Sequence, residues 1–158
     1  MRHAKSDYPP GVADHDRPLA PRGVRQAGLA GDWLRAHAPT IDRVLCSTAT
    51  RTRETLLNTR IDAPVRYSDR LYAATPGTVI DEINTVEDGV STLLVIGHEP
   101  TMSTLALGLG GAGDADTEAA QRISVKFPTS AIAVLTVPCA WKQLELGAAT
   151  LIDFDVPR

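Results

Sequence analysis

Cysteine is nearly absent from this 158-residue chain, with Cys46 and Cys139 the only two. Two thiols make neither a disulfide framework nor, alone, a zinc cage, and both lie in apolar runs, so both are expected as reduced core thiols. No apolar run approaches the ~18 residues needed to cross a bilayer. The opening Met-Arg-His-Ala-Lys-Ser-Asp has no apolar segment of the kind a secretory signal carries, and a cytoplasmic protein with no membrane partner is expected. A basic excess is missing too. Sixteen Lys and Arg against nineteen Asp and Glu give a net charge of −3, which argues against a nucleic-acid partner. Lysine is scarce: thirteen of the sixteen basic residues are arginine, the better fork for an oxyanion. No linker, low-complexity tract or internal repeat divides the chain, and its length suits one domain over residues 1–158.

Several familiar motifs fail on inspection. Gly108 to Gly113 fits G-x-G-x-x-G by its letters, but it follows a helical pattern rather than a strand and reads as a helix C-terminus. His98-Glu99 begins like a zinc-binding H-E-x-x-H, yet position 102 is Met. No phosphate loop of the G-x-x-x-x-G-K type occurs, and no Cys, His, Asp and Glu cluster has metal-ligand spacing. Neither a metal nor an organic cofactor is expected.

What is present is an alternation of strand and helix. The proline-rich stretch 8–22 reads as a surface loop. A helix is predicted over 21–38, started by Pro21, followed by a short buried strand at 42–46 and a helix over 50–58. Residues 64–68 suit an edge strand, and Thr75-Pro76 suits the N-cap and first position of a further helix. Residues 92–96 and 131–137 are continuous apolar strands, with a helix opening at Pro100 between them. Residues 142–146 and 149–154 resemble a terminal hairpin. The order predicts a three-layer α/β sandwich with a mostly parallel central sheet flanked by helices, and with antiparallel pairing of the last strands.

Three polar features fall at strand ends, where open α/β sheets place their ligands. They are Arg2-His3, the segment Ser47-Thr-Ala-Thr-Arg51-Thr-Arg53-Glu54-Thr55, and Gly97-His98-Glu99-Pro100. Two imidazoles and several arginines converging on one crevice suit a phosphoryl group. Arginine supplies paired donors to a dianion, a neutral imidazole can attack phosphorus, and helix N-termini add amide donors. His15, in the polar loop, and His37, near a helix end, are expected to be ordinary surface residues.

Taken in order, these segments resemble the histidine phosphatase superfamily, the phosphoglycerate mutase-like fold. The family's R-H-G stands here as Arg2-His3-Ala4, its S-P-x-x-R-A-x-[QE]-T as Ser47 to Thr55, and its later G-H as Gly97-His98. The SixA-type phosphohistidine phosphatases are the nearest branch, through Arg2 to Ser6, Asp16 to Leu19 with Arg22-Gly23, and Gly97 to Pro100. The resemblance implies that His3 is the nucleophile and His98 the second catalytic imidazole. It implies that Arg2 and Arg51 clamp the phosphate, and that Arg17 meets substrate from the loop after the nucleophile.

There are departures. Ala4 replaces Gly, Thr48 replaces Pro, and Met1 alone precedes Arg2. Mutase-like members carry a central glutamate acid; here Glu82 and Glu87 lack the family's surrounding pattern. A protonated phosphohistidine expels neutral imidazole, whose conjugate acid has a pKa of ~6.5, so that substrate needs little acid help. The expected function is a metal-independent phosphatase working through phosphohistidine at His3. Its expected partner is a phosphorylated substrate such as a phosphohistidine-bearing signalling protein. The alternatives are a small-molecule phosphomonoesterase or mutase, and a weakly catalytic phosphoanion-binding regulatory module.

Overall fold

The computed structural model describes residues 1–158. A loop with a 3-10 turn at Asp14–Asp16 leads into α1 (Pro21–His37), β1 (Arg43–Ser47), α2 (Thr50–Thr59) and β2 (Val65–Ser68). Then come α3 (Pro76–Asn84), β3 (Leu93–Ile96), α4 (Thr101–Gly110), α5 (Glu118–Val125), β4 (Ile132–Thr136) and β5 (Thr150–Asp155). β1 is central to a parallel sheet of order β2-β1-β3, and β4 and β5 form an antiparallel pair.

The pleat of β1 explains the layering. Side chains alternate across a strand. Val44 and Cys46 join a core with Ala30 and Leu34 of α1 and Leu56 of α2. Leu45 points the other way, into a core with Ile83 of α3 and Leu105 and Leu109 of α4. Helix α1 crosses α2 at close range because Gly31 has no Cβ: one built there would lie 2.0 Å from the Thr59 carbonyl oxygen. Pro21 starts α1, and the Thr75 hydroxyl caps α3 by accepting from the Thr78 N–H at 3.2 Å.

Two expectations are corrected. Residues 142–146 form no strand; Trp141–Gln143 is a 3-10 turn, and β5 pairs with β4 instead. The Asn84 side-chain amide donates to the carbonyls of Trp141 and Leu144, and the Trp141 indole donates to Val90 O. Those bonds tie the segment to α3 and its neighbour and use groups that a ladder would need. Cys139, expected in the core, is only partly buried, whereas Cys46 is fully buried and its thiol is pushed up to about 12 by burial. No helix is long and apolar enough to cross a membrane.

Candidate active site

Parallel strands end at a common edge, and that edge gathers the three polar features. β1 delivers Ser47 and then α2, whose first turn carries Arg51; β3 runs into Gly97-His98. Arg2 pairs with Gly97 in a parallel bridge, and the His3 N–H donates to Gly97 O at 3.0 Å. His3 and His98 are both buried, with ring centroids 5.2 Å apart. Thr55 on α2 accepts from the Ala4 N–H at 2.9 Å, so the helix bearing Arg51 also fixes the segment bearing His3.

The His3 Nδ1 lies 2.7 Å from the Ala4 carbonyl oxygen. A carbonyl only accepts, so Nδ1 carries the ring proton and Nε2 holds the free lone pair. Burial is the main cause that pulls His3 down to about 3, and nearby His98, Arg51 and Arg2 act in the same direction. The ring is therefore neutral, as an attacking imidazole must be. Burial and then Arg51 bring His98 down to about 4. Its Nε2 lies 2.8 Å from the Ser47 hydroxyl, which also accepts from the Ala49 N–H. A Ser47 hydroxyl that donates to His98 Nε2 leaves the imidazole proton on Nδ1. That Nδ1 is buried without a partner, as is the Nε of Arg2, whose Nη1 is anchored to Phe127 O at 2.7 Å. Unpaired buried donors are costly, and an oxyanion is an acceptor of the kind they lack.

Arg51 is buried too, on a helix face that would ordinarily be solvated. Its guanidinium holds Asp14, through the main-chain oxygen at 2.6 Å and the carboxylate at 3.1 Å. Arg17 shares that carboxylate at 2.8 Å, and the Tyr72 hydroxyl donates to it at 2.5 Å. The Tyr72 bond is the largest cause that lowers Asp14 to about 2, so its carboxylate is ionised at neutral pH. Arg17 also donates to Asp7 O and lies 3.7 Å over the Tyr8 ring, which ties the loop together. Arg22 is exposed on the first turn of α1, with no part in the cluster.

Sequence reasoning missed part of the rim. His15 is no ordinary loop residue: its Nε2 lies 3.0 Å from Thr48 Oγ1 and its ring packs edge-on to Tyr72 at 4.8 Å. Tyr72 in turn packs edge-on to His98 at 5.5 Å. Asp14, His15 and Tyr72 carry no motif; the 8–22 loop brings Asp14 and His15 to Tyr72, which follows the 3-10 turn at Asp69–Leu71. His37 stacks on Trp33 at the exposed end of α1, in keeping with its surface reading. Glu82 is buried beside Arg70 at 2.8 Å, and Glu99 accepts from the Ser103 N–H and hydroxyl. No group of three or more His, Cys, Asp and Glu is placed to hold a metal ion.

The family model for the histidine phosphatase superfamily (branch 1) matches residues 1–77. An uncharacterised protein of Mycobacterium tuberculosis is 65% identical over the whole of both chains. A phosphohistidine phosphatase SixA homolog of Haemophilus influenzae is 30% identical, over 70% of this chain and 75% of its own. Among solved structures, a candidate phosphohistidine phosphatase SixA from Nakamurella multipartitia superposes with a TM-score of 0.91 at 40% identity, covering 99% of this chain and 93% of that one. The protein histidine phosphatase SixA complexed with tungstate gives 0.79 at 26% identity, covering 99% and 94%. Likeness along the full chain to SixA structures, and a SixA relative matched over three quarters of its length, place this chain in the histidine phosphatase superfamily as a phosphatase.

Proposed function

We propose that the chain is a single-domain protein phosphohistidine phosphatase that works through phosphohistidine at His3. The observation that carries this is the bond from His3 Nδ1 to Ala4 O, which frees Nε2 beside His98 and Arg51. Nε2 attacks phosphorus, an N–P bond forms, and the substrate's own N–P bond breaks. The substrate imidazole, protonated on its other nitrogen, departs neutral. Phosphorylated His3 keeps its Nδ1 proton on Ala4 O and is itself a cationic, good leaving group. Water then attacks phosphorus, phosphate leaves, and His3 returns to its starting tautomer.

The remaining residues serve the charge. Arg2, Arg51 and the Nδ1–H of His98 bind the equatorial oxygens, where preorganised donors count most. Arg17 meets the substrate from the loop. The carboxyl groups of Asp14, Glu99 and Glu82 are each engaged elsewhere, which supports a substrate that needs no acid. Asp14 is held ionised, Glu99 is turned onto Ser103 and Glu82 onto Arg70. An alkyl phosphate would lack a donor for its alkoxide.

The decisive assay compares turnover of a phosphohistidine protein with that of p-nitrophenyl phosphate and sugar phosphates, with EDTA present. The phosphohistidine protein is expected to be turned over fastest, and EDTA to have no effect. Preference for a sugar phosphate, or loss of activity in EDTA with recovery on adding zinc or magnesium, would overturn the reading.

A further inference from the structure

A phosphohistidine differs from a phosphate ester in one readable feature. Its ring carries a proton on the nitrogen that does not hold phosphorus. With that proton the ring leaves as neutral imidazole; without it the ring must leave as an anion, a far poorer leaving group. A site selective for this substrate gains from an acceptor placed where the second nitrogen falls.

The Asp14 carboxylate stands in such a place. Its side chain is 54% exposed, against 8% for the Arg51 it rests on, so it lies on the solvent side of that guanidinium. Burial and Arg51 pull His98 down and the Asp14 charge pulls it back, so the carboxylate is within electrostatic reach of the second imidazole. Three donors meet it: Arg51 Nη2 and the Tyr72 hydroxyl at Oδ2, and Arg17 Nη1 at Oδ1. An ionised carboxylate accepts about four hydrogen bonds. Oδ1 therefore has a lone pair to spare, and Oδ2 regains one when a phosphoryl group takes Arg51. The carboxylate does not drift off at that moment, because Arg17 and Tyr72 still hold it and Arg51 Nη1 is bonded to the Asp14 main-chain oxygen. The Tyr72 bond, with help from Arg51 and Arg17, keeps the group ionised at neutral pH, with a value of about 2. It has no proton to give and can only accept. Tyr72 also packs edge-on to His98 and to His15, so aromatic rings border the carboxylate where a flat ring would enter.

Resting on the phosphohistidine reading above, we propose that Asp14 is the residue that selects this substrate: the phosphoryl group displaces its carboxylate from Arg51, and the carboxylate then accepts the N–H of the substrate ring. In the transfer the substrate's N–P bond breaks, its electron pair stays on the ring nitrogen, and phosphorus bonds to His3 Nε2. The proton stays on the ring's other nitrogen throughout, held by Asp14. The bond strengthens the proton's hold on the ring and so keeps the leaving group neutral. A phosphate ester brings no such N–H. It must still displace Asp14 from Arg51, and nothing repays the carboxylate for the donor it loses. Selectivity then comes from a cost laid on the wrong substrate as well as a bond made to the right one.

The test measures kcat/KM of the wild type and of Asp14→Asn on a phosphohistidine protein, on phosphoramidate and on p-nitrophenyl phosphate. Phosphoramidate has a P–N bond but no second ring nitrogen, so it separates the N–P chemistry from the reading of the ring. In Asp14→Asn the ratio of phosphohistidine to phosphoramidate turnover is expected to fall at least about tenfold, the usual loss when a charged acceptor becomes neutral. Turnover of p-nitrophenyl phosphate is expected to rise, by up to about fivefold, because Arg51 is released. Asp14→Ala, which removes the acceptor outright, should lower the ratio further and serves if the asparagine variant folds poorly. An unchanged ratio in both variants would overturn the proposal. So would an equal fall on all three substrates, which would make Asp14 a strut for Arg51. A wild type that hydrolyses phosphoramidate but not the phosphohistidine protein would instead overturn the functional reading, and this proposal with it.

Discussion

Asp14 sits on the guanidinium of Arg51, with its main-chain oxygen at 2.6 Å and its carboxylate at 3.1 Å. A carboxylate on a forked donor is a fair imitation of a phosphoryl oxygen. Arg51 is buried and Asp14 is exposed, so the arginine is the fixed member and the aspartate the one free to leave. On the proposed role of Arg51 as a phosphate clamp, phosphate and Asp14 compete for it.

Asp14→Asn is expected to tighten inhibition by inorganic phosphate by up to about fivefold, since the carboxylate side of the pair is open to solvent and such pairs are worth ~0.2–1 kcal/mol. Arg51 keeps its bond to the main-chain oxygen of residue 14, so its position should hold. Phosphate titration of both proteins at one ionic strength measures this. Weaker phosphate binding in the variant would mean that Asp14 organises Arg51 rather than competing for it.

Roles within the cluster separate by where label stops. His3→Ala should abolish the acid-labile phosphoenzyme, because no other free Nε2 lies in that position. Arg51→Ala and His98→Ala should each cost ~10²–10³ in kcat/KM, the usual effect of removing one preorganised donor, while His3 still labels slowly. Ser47→Ala acts through His98: the Nδ1 tautomer is no longer fixed, so kcat should fall with little change in KM, and Ser47→Thr should restore part of it. Quenched-flow labelling with a phosphohistidine substrate reads all of these. Undiminished labelling of His3→Ala would end the assignment.

The pH dependence of stability follows from burial of the two imidazoles. Their ordinary value is about 6.5, and the folded values are about 3 for His3 and about 4 for His98. As pH falls through about 6.5 the unfolded chain takes up protons that the folded chain refuses. Stability is then full above about 6.5, falls as pH drops toward 4, and levels off once the folded rings protonate. Each ring contributes a slope of at most about 1.4 kcal/mol per pH unit, less wherever water reaches the pocket. Urea midpoints at pH 7 and pH 4.5 should drop further in the wild type than in a His3→Gln, His98→Gln double variant. Equal drops would show that these rings do not govern the acid limb.

Much of this was legible in the sequence because the elements are local. Apolar runs and proline starts mark β1, β3, α1 and α3, and parallel strands then oblige Ser47, His98 and Arg51 to share an edge. What escaped depends on contacts distant in sequence. His15 and Tyr72 are 57 residues apart by number (72 − 15) and meet only because the proline-rich loop folds back over α2. The expected strand at 142–146 has alternating apolar residues, but Asn84 takes the carbonyls of Trp141 and Leu144, and no local pattern announces that. The break between β3 and β4 is invisible for the same reason: each reads as an interior strand, and only their pairing reveals the open edges.

The last prediction concerns the link between the nucleophile and α2. Thr55 is fully buried; its hydroxyl accepts from the Ala4 N–H at 2.9 Å and donates to Arg51 O at 2.6 Å. Thr55→Val keeps the shape and removes the acceptor. The Ala4 N–H is then buried without a partner, which costs ~1–3 kcal/mol and should lower Tm by several degrees in a chain of this size. Activity should suffer beyond that loss. Ala4 is the residue whose carbonyl fixes the His3 tautomer, so a shift of Ala4 loosens the Nδ1 bond and misaims Nε2. At a temperature where both proteins are fully folded, kcat for phosphoenzyme formation should fall about tenfold while KM stays near the wild-type value. Thr55→Ser restores the acceptor and should recover both Tm and kcat. A Thr55→Val protein that loses stability yet labels His3 at the wild-type rate would show that the hydroxyl holds the fold together without aiming the nucleophile.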